Sequence, residues 1–133
     1  MGNEIKYLET KTEKIPYCCS LNVIEQMQTE YGSLQAWSEL IEPKDKSEPN
    51  IKALKFFLTE AINEGIDIEN EEKHENRPFF SERKVGRLIT EIGLGNIGKQ
   101  VRNAVVESYG KDEQSDGSLN TEESKNVNPA QNQ

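Results

Sequence analysis

The chain has few of the side chains on which catalysis and metal binding depend. Its 133 residues include one histidine, His74, and two cysteines, which are adjacent at Cys18 and Cys19. One histidine and one vicinal thiol pair do not supply the ligand spacing of a zinc site. No serine or cysteine stands in a recognisable nucleophile–base pattern. We therefore expect a protein that is not an enzyme and that uses no metal or other cofactor.

Long apolar runs and an excess of positive charge are also lacking. No apolar stretch approaches the roughly 20 residues that span a bilayer, and the first 14 residues are polar and charged, unlike a signal peptide. The net charge of −8 argues against a general nucleic-acid binder, because phosphate contacts depend on lysine and arginine. We expect a cytoplasmic protein that does not bind membranes and whose cysteines are reduced.

Helix-spaced apolar residues are what the sequence does contain. Ser20, Ser33 and Ser81 suit helix N-caps, Pro49 suits a first helical turn, and Gly65 is typical of the position just past a helix end. The residues that recur at three- and four-residue steps are Leu21, Ile24, Met27 and Tyr31; Leu34, Trp37, Leu40 and Ile41; Ile51, Leu54, Phe57, Leu58, Ala61 and Ile62; Val85, Leu88, Ile89 and Ile92; and Ile97, Val101, Ala104, Val105 and Tyr109. These stripes predict about five helices.

The two ends of the chain differ from this helical body. Residues 5–15 contain scattered β-formers and predict a short strand or hairpin, limited by Pro16. Residues 111–133 are polar and without periodicity, which predicts disorder because burial cannot offset the entropy of ordering. The expected fold is therefore mainly α, a compact bundle of about five helices over residues 1–110, with a β-element within 1–15 and a disordered acidic polar tail over 111–133.

The segment from Gly93 to Gly98 matches the GxGxxG dinucleotide fingerprint. That fingerprint requires a strand before it, a helix after it, and a second strand ending in an acidic residue about 20 positions on. Here the chain runs into the polar tail where the second strand would stand. We therefore interpret the segment as a glycine-rich turn between two helices, with Gly98 early in the second one.

Two acidic patterns have alternative interpretations. Asp67, Glu69 and Glu71 alternate like the first ligands of a calcium loop, but the positions that require glycine and glutamate hold Glu72 and Pro78. A solvated acidic loop over residues 65–78, which also holds His74, is the interpretation that remains. Paired carboxylates on the strongest helix, at residues 60 and 64, are expected on its wet face.

Basic residues outnumber acidic ones between positions 77 and 102. They are Arg77, Arg83, Lys84, Arg87, Lys99 and Arg102. Two helices joined by a glycine-containing turn with basic surfaces also describe a helix-turn-helix DNA reader. The bases are divided between both helices, and few side chains that read base edges accompany them. A charged face that balances the acidic loop and tail is the alternative, so DNA regulation by residues 81–109 stands as the second functional hypothesis.

Several sequence blocks resemble small proteins encoded in the tail-assembly regions of prophages from Gram-positive bacteria. Together the blocks cover most of residues 5–109. They are IPY at 15–17, SLNVIE at 20–25, YGS at 31–33 with Trp37, EPNIKALK at 48–55, INEGIDIENE at 62–71, RPF at 77–79, and VGRLI at 85–89 through IGL at 92–94. The family that the chain resembles is the phage tail assembly chaperones.

This resemblance implies a mostly helical, non-enzymatic protein that is absent from the finished virion. Such chaperones bind the long tape measure protein and help to bring the tail tube protein to it, and self-association stays open. Aromatic residues and arginine are the usual anchors of protein interfaces. The candidate binding residues are therefore the aromatics Trp37, Phe56, Phe79, Phe80 and Tyr109, expected to be partly exposed, with Arg83 and Arg87 as charge partners. Core packing or a solvated charge is the alternative for each of them.

Overall fold

The computed structural model describes residues 4–110, and of residues 109 and 110 the backbone alone. These residues form five α-helices and a two-stranded hairpin, which confirms the mainly helical fold and its N-terminal β-element. In chain order the elements are β1 (Lys6–Glu9), β2 (Lys14–Tyr17), α1 (Leu21–Tyr31), α2 (Leu34–Ile41), α3 (Ile51–Lys73), α4 (Glu82–Ile92) and α5 (Leu94–Val105), and a π-helical turn follows at Val106–Gly110. The predicted disordered tail, 111–133, lies outside the described residues.

The two strands pair in antiparallel register, with Leu8 opposite Ile15 and Tyr7 opposite Pro16. Leu8 and Ile15 share the face that packs into the core, where both are 1% exposed. Strand β2 continues to Tyr17, two residues beyond the predicted β-element. Proline is tolerated in edge strands, and both strands of a two-stranded ribbon are edges.

Helix α3 is the centre of the fold and contacts α1, α2, α4 and β2. Its core face includes Phe57, which lies 5.0 Å from the Trp37 ring centroid. The Trp37 indole Nε1 donates a hydrogen bond of 3.0 Å to the carbonyl oxygen of Ala53, so its polar atom is satisfied inside the core. Packing against one long helix thus buries the stripes of the shorter helices, none of which is long enough to be stable alone in water.

The predicted end of α3 at Gly65 is wrong. The helix runs on to Lys73 and ends at His74, whose φ of 55° forms a left-handed C-cap. A Cβ added at Gly65 would lie 2.9 Å from backbone atoms of Pro16 and Tyr17. Glycine is therefore needed there because strand β2 crosses the helix at close range. Next to this contact, the Cys18 amide donates to the Ala61 carbonyl at 2.9 Å.

The acidic segment predicted as a loop over residues 65–78 is therefore helical through Lys73. Glu69 is 7% exposed. Its carboxylate accepts a hydrogen bond from the Tyr7 hydroxyl, which ties the hairpin to α3, and lies 3.4 Å from the Lys73 ammonium. The Tyr7 hydroxyl has a raised pKa, chiefly because of this hydrogen bond. The alternation of acids along 67–71 thus belongs to a helix that is partly packed under a strand.

Two asparagines of α3 hold the segment that returns from its C-terminal end. The Asn70 amide oxygen accepts from the Arg77 amide and its Nδ2 donates to the Arg77 carbonyl, both at 3.0 Å. Two helical turns earlier, Asn63 makes the same pair of bonds to the backbone of Phe80, at 2.8 and 3.0 Å. This asparagine clamp, formed by Asn63 and Asn70, fixes where Phe79 and Phe80 point.

The helix N-termini follow the expected capping chemistry with two differences. Ser33 and Ser81 accept from the backbone amides of Ala36 and Lys84, as predicted. Helix α3 begins after Asn50, whose side chain accepts from the Ala53 amide at 3.0 Å, so Pro49 precedes the cap and is not in the first turn.

Ser20 lies at the N-cap position of α1 without a side-chain capping bond. Its hydroxyl donates to Glu64 instead. The turn predicted between the last two helices is the single residue Gly93, with φ of 105°. The residues before it are helical rather than a strand, and Gly95 and Gly98 lie inside α5.

Candidate protein-binding surfaces

Trp37 and Phe80, two of the candidate anchors, are internal. Trp37 is 1% exposed and Phe80 is 5% exposed. The Phe80 ring is covered by the Lys84 ammonium at 4.1 Å and the Arg77 guanidinium at 5.8 Å from its centroid, contacts that are attractive through the ring quadrupole. The expectation that both rings are partly exposed is therefore wrong, and core packing describes them.

Phe56 and Phe79 have different environments from these two. Phe56 is half-buried and meets Tyr31 edge-on, with centroids 5.7 Å apart and planes at 83°. Phe79 is 60% exposed, because the asparagine clamp turns its neighbour inward. The side chain of Tyr109 lies outside the description, so its candidacy stays a prediction.

Phe79 borders a groove of about 310 Å³ between α1 and α3. We call it the acidic groove, because its lining residues are Asn22, Val23, Glu25, Gln26, Glu60, Asn63, Glu64, Asp67 and Phe79. The expectation of a wet face for Glu60 and Glu64 is only partly met, because both are half-buried. Burial raises the pKa of Glu60, and the nearby charges of Glu82 and Glu64 raise it further. The Glu64 carboxylate accepts hydrogen bonds from the Ser20 hydroxyl and, at 3.2 Å, from the Asn22 side-chain amide.

Arg83 and Arg87 are exposed on α4. Arg87 borders a shallow cleft between the hairpin and α4, which Phe80, Lys84 and Glu91 also line. Neither arginine lines the acidic groove beside Phe79. The structure therefore does not gather the predicted aromatics and arginines into a single surface.

A second, more apolar groove lies between α5 and the segment that joins α2 to α3. It encloses about 400 Å³. We call it the apolar groove, and its lining residues are Ile41, Glu42, Pro49, Leu54, Leu94, Gly95, Gly98, Lys99 and Arg102. Leu94 is 39% exposed at its mouth. Sequence reasoning missed this site, although a leucine off the apolar stripe of α5 and two glycines within one helix were visible signals.

Charged side chains form the rim of the apolar groove. Arg102 on α5 makes an ion pair with Glu42 just past α2, and both side chains are about half exposed. Lys99 lies one helical turn before Arg102 and is exposed. Within residues 4–110 no carboxylate pairs with it. The rim therefore carries two cations and one anion on a chain whose net charge is −8.

The adjacent cysteines, Cys18 and Cys19, are poorly suited to act as nucleophiles. Both are buried and reduced. Burial raises the pKa of each thiol to about 11, and the effect is opposed at Cys19 by a hydrogen bond with Ser108. Because the thiolate is the reactive form, these thiols are weak nucleophiles at neutral pH.

No group of three or more histidine, cysteine, aspartate or glutamate side chains in residues 4–110 is placed to hold a metal ion. Over the same residues, no helix combines the length and apolarity needed to cross a membrane.

Comparison of the chain with protein-family models, with curated proteins and with solved structures gives no match. What the chain does is therefore inferred from its described surfaces and from the resemblance of its sequence blocks to those of tail-assembly proteins.

Proposed function

We propose that this chain is a non-catalytic phage tail assembly chaperone. In the cytoplasm of the bacterial host it binds the tape measure protein and helps to bring the tail tube protein to it, and it is absent from the mature virion. The resemblance of its sequence blocks supports this proposal. The structural observation that carries it is the apolar groove, which is lined by Ile41, Leu54 and Leu94 and leaves Leu94 39% exposed.

An open apolar groove suits a protein that shields helices reversibly. Amphipathic helices bind such grooves through anchors spaced three and four residues apart. Burial of one leucine stabilises a complex by roughly 1.5–3 kcal/mol. A client helix held by a few such side chains is therefore bound weakly enough for tail tube assembly to displace the chaperone.

Co-expression with the tape measure protein of the same genome tests the proposal. We expect the tape measure protein to stay soluble and to co-purify with this chain. Leu94→Asp, which places a charge at the mouth of the apolar groove, should reduce that recovery. Leu21→Asp is the matched control, because Leu21 is 66% exposed on α1 and does not line the groove. Equal aggregation of the tape measure protein with and without the chain would contradict the proposal.

DNA binding through α4 and α5 is the second candidate function, favoured by the exposure of Arg83 and Arg87 on α4. Two features weigh against it. One residue, Gly93, joins the helices, whereas helix-turn-helix motifs use turns of three or four residues, and Arg102 is engaged by Glu42. The hypothesis requires duplex binding that weakens steeply with salt. Binding that survives replacement of the three arginines by glutamate would reject it.

A further inference from the structure

We infer that the apolar groove binds one amphipathic helix of a client protein, and that it selects a helix with a small residue on its apolar face and an aspartate or glutamate at its flank. This inference rests on the proposed function, because the client is the protein that the chaperone holds. It goes further by assigning the contact surface and the chemistry of the segment that fits it.

The apolar part of the groove is formed by elements that come from three regions of the chain. Ile41 ends α2, Leu54 lies in the first turn of α3, and Leu94 begins α5. Leu54 is buried at the base, whereas Leu94 is 39% exposed at the mouth. An occupant that reaches from the mouth to the base would cover Leu94 and bury its own apolar side chains, which is the main driving force of such association.

Two glycines shape the wall that α5 contributes. An added Cβ at Gly95 or Gly98 would meet nothing within 4 Å, in contrast to Gly65, where the backbone of β2 excludes one. The fold itself therefore does not require glycine at either position, and both lower the stability of the helix. Their effect is to let another backbone approach α5 closely, as small residues do at helix–helix contacts. A helix with alanine, serine or glycine at that point fits best.

The charges on the rim of the apolar groove determine which charge an occupant should carry beside its apolar face. Glu42 is already paired with Arg102, so Lys99 is the rim charge that an occupant can meet. The acidic groove beside Phe79 has the opposite character, with four carboxylate residues in its lining. A helix with an aspartate or glutamate next to its apolar face would pair with Lys99, whereas a lysine in that place would be repelled.

Two labelled synthetic peptides serve as probes. Each has about 18 residues, which is enough to form a helix on binding, and both have the same leucine and alanine face, flanked by glutamate in one and by lysine in the other. Fluorescence anisotropy is measured with the full chain at about 0.15 M salt, where the net charge of −8 is screened beyond roughly 8 Å. The glutamate peptide is expected to bind roughly five- to tenfold more tightly, because it gains one exposed ion pair with Lys99 where the lysine peptide meets repulsion. Lys99→Glu should abolish or reverse that preference, and Lys11→Glu in the hairpin turn should not.

Gly98→Leu tests the groove itself. The new side chain occupies the space where the client would bury one of its own, so both peptides should bind roughly tenfold more weakly or worse. Gln28→Leu, which adds a leucine to an exposed position of α1, is the matched control and should bind as the wild type does. Thermal unfolding checks that both variants fold, and Gly98→Leu is expected to be at least as stable because leucine favours helix over glycine.

Several outcomes would overturn the inference. Unchanged peptide binding by Gly98→Leu would place the contact elsewhere, and equal affinity for the two peptides would remove the role of Lys99. Sedimentation that shows a dimer converted to monomers by Gly98→Leu would assign the groove to a second copy of this chain. Tighter peptide binding by Leu119→Asp would assign it to residues 111–133 of the chain itself.

The same variant separates this inference from the proposed function. Full retention of the tape measure protein by Gly98→Leu in co-expression would overturn the assignment of the groove and leave the chaperone function standing. The wild-type chain could instead fail to retain the tape measure protein while the peptide preferences stay intact. That result would remove the proposed function and leave the preference of the groove for an acidic helix with small residues on its apolar face.

Discussion

Phe79 and Phe80 are neighbours in the chain with opposite surroundings. Phe79 is 60% exposed beside the acidic groove, and Phe80 is 5% exposed beneath Lys84. Nothing in their residue type distinguishes them. The difference arises because Asn63 binds both backbone polar groups of Phe80 and thereby directs successive side chains to opposite sides of the segment.

Alanine substitutions at these two positions should therefore differ in their effect on stability. Phe80→Ala is expected to lower the free energy of unfolding by about 3–5 kcal/mol, as is usual for a buried phenylalanine. Phe79→Ala should change it by about 0.5 kcal/mol or less. Urea denaturation monitored by the fluorescence of Trp37 measures both. Equal losses would mean that Phe79 also packs into the core.

The thiols of Cys18 and Cys19 provide a second test at the residue scale. Their pKa rises through burial from the usual value near 9 to about 11, which lowers the thiolate fraction at pH 8 roughly a hundredfold. A colorimetric disulfide reagent at pH 8 should modify them at least that much more slowly in the native chain than in urea. Rapid labelling of the folded protein would contradict the buried, protonated state.

Glycine has different roles in α3 and in α5. At Gly65 in α3 it permits the close approach of β2, whereas Gly95 and Gly98 in α5 border open space. Helix propensity treats all of these positions alike, because the scale describes an isolated helix. The neighbouring element decides whether the missing side chain serves the fold.

Gly→Ala substitutions should consequently have opposite signs in these helices. Gly98→Ala is expected to raise the free energy of unfolding by about 0.5–1 kcal/mol, because alanine loses less backbone entropy. Gly65→Ala should lower it by about 1–3 kcal/mol, the usual effect of overpacking, since its Cβ would clash with the β2 backbone. Thermal denaturation of the two variants measures the difference. Stabilisation by Gly65→Ala would show that β2 does not pack so closely.

The asparagine clamp is the second device at the scale of elements. Asn63→Ala leaves the buried amide and carbonyl of Phe80 without these partners, which should lower the free energy of unfolding by about 1–3 kcal/mol. Asn70→Ala should act similarly through the backbone of Arg77. The exposed Asn103 on α5 is the control, and its alanine variant should stay within about 0.5 kcal/mol of the wild type. A clamp variant as stable as the control would show that the returning segment is held by other contacts.

Over residues 4–110 as a whole, the two grooves differ in charge: four carboxylate residues line the groove between α1 and α3, whereas Lys99 and Arg102 lie on the rim of the apolar groove. The chain has 24 acidic and 16 basic residues, and carboxylates lie near one another in the acidic groove. Glu60, one turn before Glu64 and near Glu82, is where this crowding has a resolved effect on a pKa.

This crowding predicts a specific dependence of stability on pH. Burial, with Glu82 and Glu64, raises the pKa of Glu60 above its ordinary 4.5 in the folded state. The native state then holds more protons than the unfolded state just above that value, so this contribution to stability falls as pH rises through the window. Glu60→Gln should have a higher free energy of unfolding than the wild type at pH 7. Removal of the repulsion with Glu64 should account for about 0.2–0.5 kcal/mol of the difference.

The matched measurement is chemical denaturation of both proteins at pH 7 and well below pH 4.5. The stability difference between them should shrink at the lower pH, where Glu60 is protonated in the folded and unfolded states alike. A difference that is the same at both values would show that the charge of Glu60 is not its cause.

The residue pattern alone was sufficient to predict five helices, several of their caps and an N-terminal hairpin. Helix period and N-capping by Ser33 and Ser81 are local properties, because each depends on residues within a few positions along the chain. The same locality made the extent of α3 unpredictable, since the reason for Gly65 lies about 50 positions earlier, in β2.

The candidate binding residues show the same difference between what local sequence predicts and what tertiary contacts decide. Aromatic and arginine residues were identifiable by type, but burial of Trp37 and Phe80 and exposure of Phe79 depend on contacts between distant segments. The apolar groove likewise exists only where the end of α2, the start of α3 and α5 meet. The sequence by itself determined which helices form, because that is a short-range balance of spacing and capping. Tertiary packing decided which side chains remain at the surface, because burial is shared among elements far apart in the chain.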